Sequence, residues 1–160
     1  MTGHPLTPDH ETIHGTCVAI AGAGVLIAGP PGAGKSDLAL RLIDGAGCGI
    51  SGKPKVAKLV SDDQVVVRRL GHKLFASPPA SIAGKLEIRG QGIVDLPHVS
   101  EVALRLCVNL VPAAGIERMP EPGASRHVIL GIVLAQVNID PSAASAAARV
   151  RAAVDALSAA

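Results

Sequence analysis

The run Gly29-Pro30-Pro31-Gly32-Ala33-Gly34-Lys35-Ser36 constrains this chain more than any other stretch, because its chemistry works only at a turn from a strand into a helix. Both flanks read that way. His14 to Ala28, HGTCVAIAGAGVLIA, holds two short β-prone runs around Gly22-Ala23-Gly24, so the spacing predicts a hairpin whose second strand runs straight into Gly29. Lys35 to Asp44 sets Leu38 and Leu42 four apart, Ala39 and Ile43 beside them, and Asp37 and Arg41 at helical spacing, with Gly45 as the stop. In that setting the match to G-x-x-x-x-G-K-[ST] is a phosphate loop. Its glycines let backbone N–H groups curl around phosphate oxygens, and the helix adds its N-terminal dipole. Lys35 would reach the β- and γ-phosphates, and the Ser36 hydroxyl would ligate magnesium.

The remaining text reads mostly as strands. Residues 1 to about 12 carry two prolines and several polar groups without a period and read as a flexible tail, leaving 13–160 as one domain. Gly45 to Lys55 has no hydrophobic period and reads as a flexible surface loop. VAKLV, QVVVRRL and HKLFA follow as strands, the first two on either side of Asp62-Asp63 and the third after a turn at Gly71. Residues 102 to 111 alternate strictly, with Val102, Leu104, Leu106, Val108 and Leu110 on one face. Residues 128 to 139 hold two strands, or one bent at Gly131. Asp140 and Pro141 then read as the N-cap and first residue of an Ala-rich C-terminal helix striped by Val150, Val154 and Leu157. The fold class expected is α/β, a mixed sheet with flanking helices, since the pattern is not a regular βαβ alternation.

Composition narrows the partners. One Phe, no Tyr and no Trp leave no stacking platform for single-stranded nucleic acid. A net charge of +2 is too small for a surface that binds by releasing counterions. Nucleic acid is therefore excluded as an expected partner. No run of about 18 apolar residues offers a membrane span, and no cationic start precedes an apolar run, so a cytoplasmic protein is expected. Cys17, Cys48 and Cys107 are odd in number and fit neither a disulfide framework nor a zinc pattern.

Asp62-Asp63 ends a strand that can pair beside the phosphate loop. An acid pair at a strand end is ordinary on any surface; beside a phosphate loop, one carboxylate can hold magnesium or its water and the other accept a proton from an attacking hydroxyl. Glu87 to Asp95, EIRGQGIVD, mixes acids, Arg and two glycines, a loop composition suited to approaching a ligand. His14, just before the first strand, reads from chemistry alone as a polar cap.

Together, His14-Gly15, GPPGAGKSDLAL, LVSDD ending at Asp63, and EIRGQGIVD resemble the HPr kinase/phosphorylases, bacterial enzymes that phosphorylate a serine of the phosphocarrier protein HPr. The elements occur in that family's order across most of residues 13 to 140. The resemblance implies a phosphoenolpyruvate-carboxykinase-like fold, usually hexameric, using ATP and Mg2+. It implies Asp63 as proton acceptor, His14, Lys35 and Arg118 as active-site residues, and Ser36 and Glu87 as magnesium ligands, with Asp62 beside them. No counterpart of the amino-terminal domain of longer members is recognised in these residues, so a short form is expected. The basic, proline-containing loop associated with dephosphorylation has no counterpart in VLAQVNIDPSAA, so the expected activity is kinase with weak reverse phosphorolysis. The alternatives are a phosphate-loop switch or sensor ATPase without a protein substrate, and a small-metabolite kinase.

Overall fold

The computed structural model describes residues 9–158. Eleven strands and two helices are arranged around one curled sheet: β1 (His10–His14), β2 (Thr16–Ile20), β3 (Ala23–Ala28), α1 (Lys35–Asp44), β4 (Ala57–Ser61), β5 (Gln64–Leu70), β6 (Lys73–Ser77), β7 (Lys85–Ile88), β8 (Gly92–Asp95), β9 (Val102–Leu110), β10 (Arg126–Ile129), β11 (Ile132–Ile139) and α2 (Ala146–Ser158). The order across the sheet is β1-β5-β6-β9-β3-β2-β4, with the β10–β11 hairpin joined to β9 through β11. β9 pairs parallel to both β3 and β11, while β2 lies antiparallel between β3 and β4. β7 and β8 form a separate hairpin.

The curl makes two cores from one sheet. On one face α1 and α2 bury Leu38, Leu42, Val150 and Val154 against Val25, Ile27, Leu106 and Val108. On the other face β5 and β6 fold over β2 and β3, so that Val65, Val67 and Leu74 meet Cys17, Leu26 and Val60. The alternating residues of β9 serve both: Val102 and Leu104 enter the second core, Leu106, Val108 and Leu110 the first. A register shift between Gly24 and Val25 accompanies this change. Gly24 permits it, because a Cβ there would stand 2.6 Å from the Ala103 carbonyl. Aliphatic and Ala side chains suffice for this packing, and the one Phe is only half-buried.

Four expectations change. The tail expected over residues 1 to about 12 gives way at His10 to β1, whose backbone pairs with β5; residues 1–8 lie outside the described residues. The loop from Gly45 to Lys55 is pinned by a buried Lys55, whose ammonium donates to the Cys48 carbonyl at 2.9 Å and the Ser51 hydroxyl at 2.7 Å and pairs with Asp155 of α2. The C-terminal helix begins at Ala146 instead of Pro141, because Asp140 accepts from the Ser142 amide and hydroxyl in a tight turn before the helix starts. EIRGQGIVD is a hairpin as well as a loop: Glu87 pairs with Ile93, and only the tip around Gly90 is irregular. No helix among the described residues is long and apolar enough to cross a membrane.

Candidate active site

The glycine-rich loop sits in the middle of the sheet's upper edge. β3 ends at Ala28, and α1 begins at Lys35 after Gly34, whose φ of 103° belongs to the left-handed region that glycine adopts without penalty. The Lys35 ammonium folds back on the loop and donates to the carbonyls of Gly29 and Pro30, both at 3.0 Å, leaving the residue only 8% exposed. A cleft of about 620 Å3 opens over the loop and is lined by His14, Thr16, Lys35, Ser36, Asp63 and Glu87, among others.

Asp62 organises one wall. Buried at the end of β4, its Oδ1 accepts from the Thr16 hydroxyl at 2.9 Å and the Ser36 hydroxyl at 2.6 Å, and its Oδ2 accepts from the Glu87 amide at 3.3 Å. One carboxylate thus joins β2, the first turn of α1 and the β7–β8 hairpin. Because the Ser36 proton is turned to Asp62, the lone pairs of Oγ remain for a cation. Ser36 and Asp62 place a hydroxyl and a carboxylate together, hard oxygens of the kind that suit magnesium sharing its shell with phosphates and water, and Glu87 lines the same cleft.

Asp63 faces the cleft differently. Its φ is 70°, and the Gln64 amide donates to the Asp62 carbonyl at 2.8 Å, closing a γ-turn with Asp63 at its strained centre. A non-glycine residue in such a state costs on the order of 1–3 kcal/mol and persists only where its surroundings hold it. Here the Gly15 amide holds it, donating to the Asp63 carbonyl at 3.0 Å. The exposed carboxylate lies 3.4 Å from His14 Nδ1.

His14, the Gly29–Ser36 loop, Asp62, Asp63 and Glu87 therefore converge, although they come from separate parts of the chain. Arg118 does not join them: it is exposed in the segment between β9 and β10 and does not line the cleft. Thr16 and Arg89 are among the lining residues that were not expected from sequence. Thr16 is a fully buried hydroxyl in an otherwise apolar strand, which was its only signal. Arg89 lines the cleft from the hairpin tip, and its signal was a cation inside a glycine-bracketed turn. Cys17 and Cys107 lie buried outside the cleft, where burial pushes the Cys107 thiol up to about 12 and the Cys17 thiol higher still.

Comparison with known proteins gives consistent matches. The family model described as the HPr Serine kinase C-terminal domain matches residues 6–154. The HPr kinase/phosphorylase of Clostridium tetani is 40% identical over 87 residues, 54% of this chain and 25% of that protein. That of Lactobacillus acidophilus is 32% identical over 140 residues, 81% of this chain and 40% of that protein. The chain thus spans well under half the length of these curated relatives. The solved structure of the Hpr(Ser) kinase/phosphatase from Coxiella burnetii superposes with a TM-score of 0.67 at 26% identity, covering 93% of this chain and 94% of that one.

Proposed function

Because the chain belongs to the HPr serine kinase C-terminal domain family, we propose that it transfers the γ-phosphoryl group of ATP to a serine of HPr or an HPr-like carrier, on a phosphoenolpyruvate-carboxykinase-like fold. The observation that carries this reading is the convergence on one cleft of the Lys35–Ser36 loop, Asp63, His14 and Glu87, with Asp62 bonded to Ser36 behind them. Phosphoryl transfer asks little covalent work of a protein, so charge and position carry the catalysis.

The loop amides of Gly32 to Ser36 cradle the phosphates, and Lys35 leaves its two carbonyls to meet the transferring group. Asp63 orients the serine hydroxyl and takes its proton, with His14 beside it to hold the carboxylate. Ser36, Glu87 and Asp62 would hold magnesium, which would neutralise the charge spread over the phosphates. Arg89 adds a cation on the hairpin side. Arg118 lies outside the cleft of this chain and is assigned no step. By family likeness the chain assembles with itself, a hexamer being the expected size, and works in the cytoplasm.

The test is to incubate the chain with radiolabelled ATP, magnesium and HPr from the same organism. Label on a carrier serine supports the kinase. Nucleotide binding or hydrolysis without label on any carrier supports a switch or sensor ATPase instead.

A further inference from the structure

The two flanks of the cleft differ in chemistry, and the strand order says why. Across the sheet the strands run β4, β2, β3, β9, β11, so the loop that leaves β3 has two strands on either side. At about 4.8 Å per strand, each flank reaches roughly 10 Å from the loop. The β2–β4 flank brings His14, Asp62 and Asp63. On the β11 flank the chain turns through Asp140, Pro141 and Ser142, and Pro141 and Ser142 line the cleft together with Leu40 of α1.

That second flank presents the Pro141 ring and the Leu40 side chain and is braced, and Asp37, which also lines the cleft, is paired with Arg41. A Cβ on Gly34 would come 3.5 Å from Pro141 Cβ, so the proline ring rests against the last glycine of the loop. Arg41 Nη2 donates to the Pro141 carbonyl at 2.6 Å and pairs with Asp37 at 3.1 Å, which ties the turn to α1. The polar groups of the turn are engaged with each other, for Ser142 gives both its amide and its hydroxyl proton to Asp140.

A nucleoside triphosphate whose terminal phosphoryl group points at Asp63 sends its nucleoside off the loop in the opposite direction. We infer that the Pro141–Leu40 surface is the nucleoside subsite, with the base lying against the proline ring and the leucine side chain and Arg41 acting as a positioning residue. This rests on the kinase reading above and adds where the base goes and how it is recognised. Recognition there is by apolar contact. Strong discrimination between bases needs buried polar groups left unpaired by the wrong one, and Ser142 has no proton to offer. Phe75, the one aromatic side chain, lies on β6 beneath Arg68, away from the cleft. ATP and GTP should therefore bind with comparable affinity.

The experiment compares dissociation constants of the full chain for magnesium-ATP, magnesium-GTP and magnesium-tripolyphosphate by calorimetry, in the wild type, Leu40→Ser and Pro141→Ala. Tripolyphosphate engages the loop without a nucleoside. Leu40→Ser should weaken both nucleotides about tenfold and leave tripolyphosphate within about twofold, since only the buried apolar contact is lost. Pro141→Ala should act in the same direction; Leu40 lies half-buried on α1, so its variant carries the test should Pro141→Ala melt early. Unchanged nucleotide affinity overturns the subsite, as does an equal loss for tripolyphosphate. A loss confined to one base overturns the apolar recognition. A wild type that binds tripolyphosphate as tightly as ATP overturns the subsite and spares the phosphate loop, whereas one that binds none of the three overturns the kinase reading as well.

Discussion

Thr16 and Asp62 show how one hydroxyl can set a site. Thr16 is fully buried, and its proton goes to a carboxylate that also organises Ser36 and Glu87. Thr16→Val keeps the shape and removes a donor from a buried acceptor, so chemical denaturation should show a loss of about 1–3 kcal/mol. Thr16→Ser should recover most of it, and equal stability of the two variants would refute the hydrogen bond's importance. At the reacting end, the kinase reading makes separate demands on Asp63 and Lys35. Asp63→Asn should slow transfer to HPr by about 10²–10⁴-fold, the usual worth of a general base, while ATP still binds. Lys35→Ala should abolish transfer with an unchanged circular dichroism spectrum, because Lys35 lines the cleft, bonds only two loop carbonyls and belongs to neither hydrophobic core. Full activity in Asp63→Asn would move the base elsewhere, Asp62 being the first candidate.

Among elements, α2 and the segment between α1 and β4 act as one unit. Asp155 accepts from the Lys55 ammonium and from the amides of Ile50 and Ser51, and Arg151 reaches the carbonyls of Leu42 and Gly45 at the end of α1. The Lys55 hydrogen bond, followed by the Ile50 amide and the Lys55 charge, holds the Asp155 carboxyl below its ordinary value of 3.8. A depressed carboxyl contributes stability that is present above the unfolded value and is lost as pH falls through the folded one. Thermal stability should therefore drop as pH falls below about 3.8. In Lys55→Met the drop should be shallower, since the main cause of the shift is gone, and cleavage within residues 45–55 by a protease should be faster at neutral pH. Equal cleavage of the two proteins would refute the clamp.

For the whole molecule, the distribution of charge bears on reaction direction. Phosphorolysis must bring inorganic phosphate beside phosphoserine, and two anions in close approach need cations between them. Gln136 and Asn138 do not line the cleft; they bond to Ser125, to Asn109 and to each other on β9 and β11. The cleft's Lys and Arg side chains are Lys35 and Arg89, and on the proposed kinase reading Lys35 is engaged with the nucleotide in the forward direction. Pyrophosphate release from phosphoserine-HPr in millimolar phosphate should accordingly be much slower than the forward step. Equal rates would mean that cations from outside this cleft, such as Arg118, Arg126 or groups on a second copy, supply the charge.

What the sequence determined by itself was local. Strand, loop and helix around Gly29 to Ser36 were legible because a glycine-rich turn, a 3.6-residue period and a stop glycine all act over a few residues. So were β9, from strict alternation, and the four motifs that later met in one cleft. The tertiary structure decided what depends on partners far along the chain. His10 to Thr12 carry no period, yet β5 gives their backbone a partner. Gly45 to Lys55 looks unstructured until α2, a hundred residues on, supplies Asp155 and Arg151. Asp140 was drawn from a helix cap into a turn by Ser142, and Arg118 was left outside the cleft by the path of the β9–β10 connection. Strand order decided most of all: hydrogen-bond pairing between distant strands sets the acids on one side of the loop and Pro141 on the other, and no local pattern encodes which strand lies next to which.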